Sequence, residues 1–332
     1  MLARIAHELF WLGRSVARAE HTARMLDGVL QASLQGRPDD PAGITLGWRS
    51  LPAIMGASAA NADGERPLTR DEVLRSLTLD PENPASVVAC IARARELART
   101  LRDVVSAEMW EAINTTELNL RGSGMGAAVR RDPYSVYAYV RERAALFWGL
   151  TSRTMLRDEA SAFLAAGGRI ESGDMVLRML RVALPPETDG DAPERGQALA
   201  LLQAVGGFQA YRRAVPAPPN AVPVVRFLLF ERAYPDSVAA AVEAALTALE
   251  RADRNPRNSE PVLRLQRLSA DLEFRHRTVS DGADLHGTLL YAQEELARVA
   301  TDIAERYFAG TPGIAVGRQD VAERHPARLE VR

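Results

Sequence analysis

Two stretches of the chain, residues 13–26 and 167–180, share a residue pattern at an offset of 154. They read GRSVARAEHTARML and GGRIESGDMVLRML. Two further pairs recur at an offset of 151, NPASV at 83–87 with YPDSV at 234–238, and LPAI at 51–54 with LQAV at 202–205. Self-similarity at a fixed offset is typical of duplicated units. The sequence therefore predicts two repeats, at residues 1–155 and 156–310. The competing interpretation is that Ala-rich amphipathic helices resemble one another without duplication.

The first 30 residues carry the clearest periodicity in the chain. Apolar residues follow one another at alternating spacings of four and three, at Ile5, Leu9, Leu12, Val16, Ala19, Ala23, Leu26 and Leu30. This spacing predicts a long helix with one apolar seam against its neighbours, in which His7 and Arg24 are more exposed than Leu9, Leu12, Val16 and Ala23.

The rest of the chain favours an all-α fold, a helical-bundle unit that occurs twice as two pseudo-symmetric halves packed together. Period-2 alternation is scarce, and Asn83-Pro84 has the residue types of a helix start. A helix is predicted over 85–105, another from Asp132-Pro133, and one over 197–213. Residues 185–195 are predicted to be a loop, and residues 311–332 an extended or mobile tail.

Composition excludes several classes of function. The 332 residues include 41 basic side chains, all of them Arg, against 43 acids. A net charge of −2 gives no electrostatic case for nucleic acid or an anionic membrane as a partner. The lack of Lys excludes a P-loop lysine or a Schiff base. No apolar stretch reaches about 18 residues and no signal peptide is recognised, so the expected location is cytoplasmic.

Several segments together carry a family resemblance. ELFWLGRSVARAEHTARML near the start, FLLFERAYPDSV, LSADLEF, and LHGTLLYAQEELARVATDIAERYF resemble the Alpha-E family, over residues 1–310. The resemblance implies a bacterial, all-helical, duplicated domain without an established activity. It also implies protein partners, namely a circularly permuted ATP-grasp ligase and a transglutaminase-like peptidase, in a system for peptide synthesis or modification.

The motif of that family runs Gly-Arg, two residues, Glu-Arg-Ala and an acid. In the first copy Ala17 stands in place of Glu, and in the second copy Ser172 stands in place of Arg. The first copy thus keeps Arg18, and the second keeps Glu171. Two lone buried charges are costly apart but complementary together, which predicts a cross-repeat pair of Arg18 with Glu171.

Five residues form the candidate binding or motif site, which are Arg14, Arg18, Glu20, Glu171 and Asp174. A second cross-repeat pair is predicted between Arg14 and Asp174. If the helices do not meet, Arg14 and Arg18 become an exposed patch for a carboxylate or phosphate.

No catalytic constellation, metal site or cofactor site is recognised. The lone Cys90 lies on an apolar helix and is interpreted as a core residue. Glu273 and His276 form a Glu-x-x-His, but a di-iron bundle needs two copies. The leading hypothesis is a non-enzymatic scaffold, or a partner- or peptide-binding subunit, that works with an ATP-grasp-type ligase. The alternative is an enzyme or small-ligand binder that uses Arg and acidic residues at the junction of the two repeats.

Overall fold

The computed structural model describes residues 1–34, 46–56, 66–183, 195–279 and 282–309. These residues form fourteen α-helices, one short 3-10 turn and no β-strand, which confirms the all-α fold. The predicted loop at 185–195 and the predicted tail at 311–332 fall, but for Arg195, outside the described residues.

The helices divide evenly between the two halves of the chain. The first seven are α1 (Ala3–Leu34), α2 (Ser50–Ile54), α3 (Arg70–Thr78), α4 (Val87–Thr100), α5 (Ala107–Leu120), α6 (Met125–Arg131) and α7 (Pro133–Thr154). The other seven are α8 (Glu159–Ala183), α9 (Arg195–Ala204), α10 (Phe208–Ala214), α11 (Ala221–Phe230), α12 (Val238–Ala252), α13 (Glu260–Thr278) and α14 (Gly282–Tyr307).

The longer helices follow the same order in both halves. In the first half α1 packs against α4 and α7, and α5 packs against both of these; in the second half α8, α12, α14 and α13 repeat the arrangement. Ser86 and Ser237, 151 residues apart, cap α4 and α12 in the same way, each accepting a hydrogen bond from the third backbone N–H of its helix. This correspondence is what the predicted duplication requires; the repeat boundary at residue 155 stays a prediction.

Helices α1 and α8 form the centre of the molecule and run in the same direction. The amino group of Met1 lies 2.8 Å from Oε2 of Glu159, near the start of both helices. Further along, Gly13 lies against the backbone of Leu164, so contacts advance together along the two helices. The two repeats therefore meet along α1 and α8.

Glycine permits this close approach. A Cβ atom at Gly13 would overlap the carbonyl oxygen of Leu164, and one at Gly167 would overlap the carbonyl oxygen of Phe10. Gly13 and Gly167 are 154 residues apart, as are Phe10 and Leu164. Each helix thus touches the other through equivalent residues, which is the reciprocal contact of a two-fold relationship.

The predicted seam of α1 is buried, but the helix does not pack through one seam only, because Phe10, Thr22 and Met25 on its other faces are buried as well. Leu9, Leu12 and Ala23 are fully buried, while His7 and Arg24 are only partly buried. Burial of an apolar side chain contributes about 1.5–3 kcal/mol, so this seam is a large part of the core.

Three predicted helix boundaries are wrong. Helix α4 begins after Ser86 rather than at Asn83-Pro84, because the Asn83 side chain accepts a hydrogen bond from the backbone of Ala85 and closes a turn instead. It also ends at Thr100, short of residue 105. The predicted helix over 197–213 is two helices, since Gly206 has a φ of 73° and ends α9 in the left-handed conformation.

Candidate functional site

The carboxylate of Glu171 joins the two repeats. Its Oε2 accepts a hydrogen bond from Nε of Arg14 at 2.7 Å, and its Oε1 accepts one from Nε of Arg18 at 2.5 Å. The Glu171 side chain is 0% exposed, while those of Arg14 and Arg18 are 13% and 22% exposed. We call these three residues the Glu171 triad. The predicted cross-repeat pair of Arg18 with Glu171 is confirmed.

The triad forms because of helical spacing. Arg14 and Arg18 are one turn apart on α1, so both side chains reach the same point on α8. The close contact of the helices at Gly13 and Gly167 brings Glu171, one turn further along α8, within reach. The glycines therefore position the charged residues.

The charges of the triad reinforce one another. Burial raises the pKa of Glu171, but the guanidinium groups of Arg18 and Arg14 outweigh burial and hold this pKa well below its usual range. The Glu171 carboxylate in turn raises the pKa of Arg18. Glu171 is thus a permanent anion at neutral pH. An ionised carboxylate that is fully buried and doubly paired is a poor general base.

The neighbouring acids pair within their own helices. Asp174 lies 2.6 Å from Nη2 of Arg178, four residues along α8, so the predicted pair of Arg14 with Asp174 is wrong. Glu20 lies 2.7 Å from Nη2 of Arg24, the equivalent pair on α1. Both acids prefer a partner at i+4 because that geometry needs no tertiary contact.

Trp11 and Cys90 lie close to the triad. The guanidinium carbons of Arg14 and Arg93 lie 4.9 and 4.4 Å from the ring centre of Trp11. Burial raises the pKa of the Cys90 thiol to about 12, and Cys90 is 3% exposed. Cys90 is therefore a core residue, as predicted, and is not a nucleophile at neutral pH.

The structure also contains a cavity that the sequence did not indicate. Its volume is about 510 Å³, and we call it the Trp148 cavity. Its walls come from α1, α7, α8, α12 and the connections beside them, and include Glu20, His21, Trp148, Gly168, Ser172 and Arg251. Among the five predicted site residues, only Glu20 lines it. No sequence motif marks it, because its lining comes from segments more than 200 residues apart.

The Glu-x-x-His residues and the long helices were the other features with a possible functional role. Within the described residues, no three His, Cys, Asp or Glu side chains lie close enough to hold a metal ion. Glu273 pairs with Arg277 and Arg232, while the His276 ring stacks on Phe230 at 5.1 Å. No helix of the described chain has both the length and the apolar character that crossing a membrane requires.

Known proteins show where this architecture belongs. The chain is 23% identical over 316 residues to an uncharacterized protein of Mycobacterium bovis and 22% identical to one of Mycobacterium tuberculosis, matches that cover 91% of the chain. The chain spans only 36% of the length of those curated relatives. No solved structure matches it. Residues 1–308 match the Alpha-E family model, described as a predicted alpha-helical domain with a conserved ER motif. The chain therefore belongs to the Alpha-E family.

Proposed function

We propose that this chain is a non-enzymatic helical subunit, a scaffold for a protein partner in a bacterial system for peptide synthesis or modification. The partner is an ATP-grasp-type ligase, with a transglutaminase-like peptidase as a second member of the system. The Glu171 triad, whose charged groups bind one another across the repeats, supports the non-enzymatic role. The choice of partners rests on the family resemblance alone. Charged groups that pair with one another in the interior specify packing and are not available for acid–base chemistry.

The proposal includes a cytoplasmic location. An ATP-grasp ligase consumes ATP, so a subunit that binds it has to share the compartment that supplies the nucleotide. The surface offers apolar residues for such a contact, with Leu156 78% exposed and Phe274 67% exposed.

The test is reconstitution with an ATP-grasp-type ligase from the same organism. We expect the two purified proteins to elute together in size-exclusion chromatography, and the ligase to turn over a peptide faster when this chain is added. Capture of some other protein from a lysate does not count as support. Turnover of the peptide by this chain alone, or failure of the two proteins to associate, would contradict the proposal.

A triad variant separates a scaffold from an enzyme. Arg14→Lys keeps the positive charge but removes the Nε–H that Glu171 accepts at 2.7 Å. If the triad is structural, this variant has a lower melting temperature yet binds the ligase and supports the wild-type rate once folded. A folded variant that binds the ligase but loses the rate would favour the enzyme alternative.

A further inference from the structure

The residues at the offset of 154 from the triad are all small. Gly168 corresponds to Arg14, Ser172 corresponds to Arg18, and Ala17 corresponds to Glu171 across the two-fold. The second site that the two-fold relationship requires has therefore lost its acid and both of its bases.

The space beside these small residues is the Trp148 cavity. Gly168 and Ser172 both line it. The ring of Trp148 covers Gly168 so closely that a Cβ there would lie 2.5 Å from Cη2 of the indole. The indole Nε1 donates to Oε2 of Glu20 at 3.2 Å, which fixes the ring as one wall. The second site lacks the two long side chains that Arg14 and Arg18 provide at the first site. The volume that such side chains would occupy is part of the Trp148 cavity.

The cavity holds a polar group that lacks a partner. His21 lines the cavity and is 3% exposed, and its Nδ1 makes no hydrogen bond within the described structure. A buried polar atom without a partner costs about 1–3 kcal/mol. Such an atom in a cavity wall is a reason to expect a ligand.

The charges of the cavity select the kind of ligand. Its charged residues are Arg157, Arg169, Arg251, Glu20 and Asp236. Arg157 and Arg251 form no ion pair or hydrogen bond with other described residues and are exposed, whereas Glu20 is paired with Arg24. Because Glu20 is paired with Arg24 and Asp236 lies 3.8 Å from Arg169, Arg157 and Arg251 are the cations left to bind an anion. The apolar wall beside them favours a carboxylate that carries an apolar group.

We propose that the Trp148 cavity binds a monocarboxylate with an apolar or aromatic group, such as the carboxyl-terminal residue of a peptide. The apolar group lies against Trp148, Met155 and Ala165, and the carboxylate is bound at the mouth by Arg157 and Arg251. A volume of about 510 Å³ lies within the usual range of small-molecule sites. This inference does not depend on the proposed partner.

The probes are N-acetyl-L-phenylalanine and its carboxamide, with binding followed by calorimetry and by tryptophan fluorescence, to which Trp148 and three other tryptophans contribute. We expect the carboxylate to bind at least about tenfold more tightly than the amide, because only the carboxylate makes charge-assisted bonds to Arg. A peptide that ends in Phe, compared with the free N-acetyl amino acid, distinguishes a chain terminus from a small metabolite as the source of this carboxylate.

Three variants locate the site. Arg251→Gln should weaken carboxylate binding by about tenfold and leave amide binding unchanged, since Arg251 is exposed and unpaired within the described structure. Arg153→Gln, an exposed arginine of α7 that does not line the cavity, is the matched control and should have no effect. Ala165→Phe fills the cavity and should abolish binding while the circular dichroism spectrum stays helical.

Three results would overturn the inference. One is equal affinity for the carboxylate and the amide. Another is no binding of either probe to the folded wild-type chain below about 10 mM. The last is tighter binding of inorganic phosphate than of the carboxylate at the same site.

Discussion

The two sides of the junction between α1 and α8 are related by the same offset but have opposite character. On one side Arg14, Arg18 and Glu171 fill the space and pair with one another, which leaves a net charge of +1. On the other side Gly168 and Ser172 line a cavity beneath Trp148. The difference teaches that the acid and the bases act as one unit, because the side that lacks the acid lacks both bases too.

This interpretation changes the meaning of the motif. Along the sequence each copy looks damaged, since the first lacks its Glu and the second lacks its Arg. In three dimensions the bases of one copy meet the acid of the other, so one complete site remains. The unit to compare between repeats is therefore the cross-repeat site.

The largest expected effect comes from separation of the two helices. Gly167→Val places a branched side chain where even a Cβ overlaps the carbonyl oxygen of Phe10, so α1 and α8 have to move apart. We expect a loss of more than about 4 kcal/mol in the free energy of unfolding, measured by urea denaturation. Gly149→Ala is the control, because nothing lies within 4 Å of that added Cβ, and it should stabilise α7 by about 0.5–1 kcal/mol. Similar melting of both variants would show that the helices are not in contact there.

The next effect tests the Glu171 triad directly. Glu171→Ala leaves the partly buried guanidinium groups of Arg14 and Arg18 without an acceptor, which should cost about 3–5 kcal/mol. A double-mutant cycle with Arg18→Ala measures the coupling, which should exceed about 1 kcal/mol. Additive single-variant effects would mean that the two residues act independently, and the contrast between the two sides would then lose its basis.

A smaller effect is a pH dependence of the free energy of unfolding that comes from the Glu171 triad alone. The lowered pKa of Glu171 in the folded chain means that its stabilisation is present above the unfolded value of about 4.3 and is lost as the pH falls toward the folded value. The difference in stability between the wild type and Glu171→Gln should stay constant from about pH 8 to 5. Below that it should shrink by up to about 1.4 kcal/mol per pH unit. A difference that grows on acidification would reverse the sign and contradict the assignment.

The smallest effect comes from an attempt to rebuild the second site. Ala17→Glu alone buries an unpaired carboxylate, because Ala17 is 2% exposed, and should be destabilising. Adding Ser172→Arg should restore about 1 kcal/mol if the two positions face each other as Glu171 and Arg18 do. Thermal melts of the single and double variants measure this coupling. A double variant no more stable than Ala17→Glu would show that the two sides are not equivalent.

Much of the fold follows from local patterns in the chain. The spacing of four and three in residues 5–30 determined that α1 is a helix with a buried seam, and Asp132-Pro133 marked the start of α7 correctly. Helix starts were less certain where two capping residues compete. Asn83 and Ser86 both suit a helix start, and the choice of Ser86 depends on Asn83 turning back onto Ala85.

For the candidate site as well, the sequence predicted one part and only the tertiary structure decided the rest. Residue types and the offset of 154 were enough to predict the pair of Arg18 with Glu171, because complementary lone charges at equivalent positions restrict how two repeats can meet. They did not exclude Arg14 with Asp174, since the choice between an i+4 partner and a cross-repeat partner depends on a few ångströms of helix placement. The Trp148 cavity was decided by tertiary structure alone. A cavity depends on how the surrounding helices pack, and no residue type or spacing in the sequence marks it.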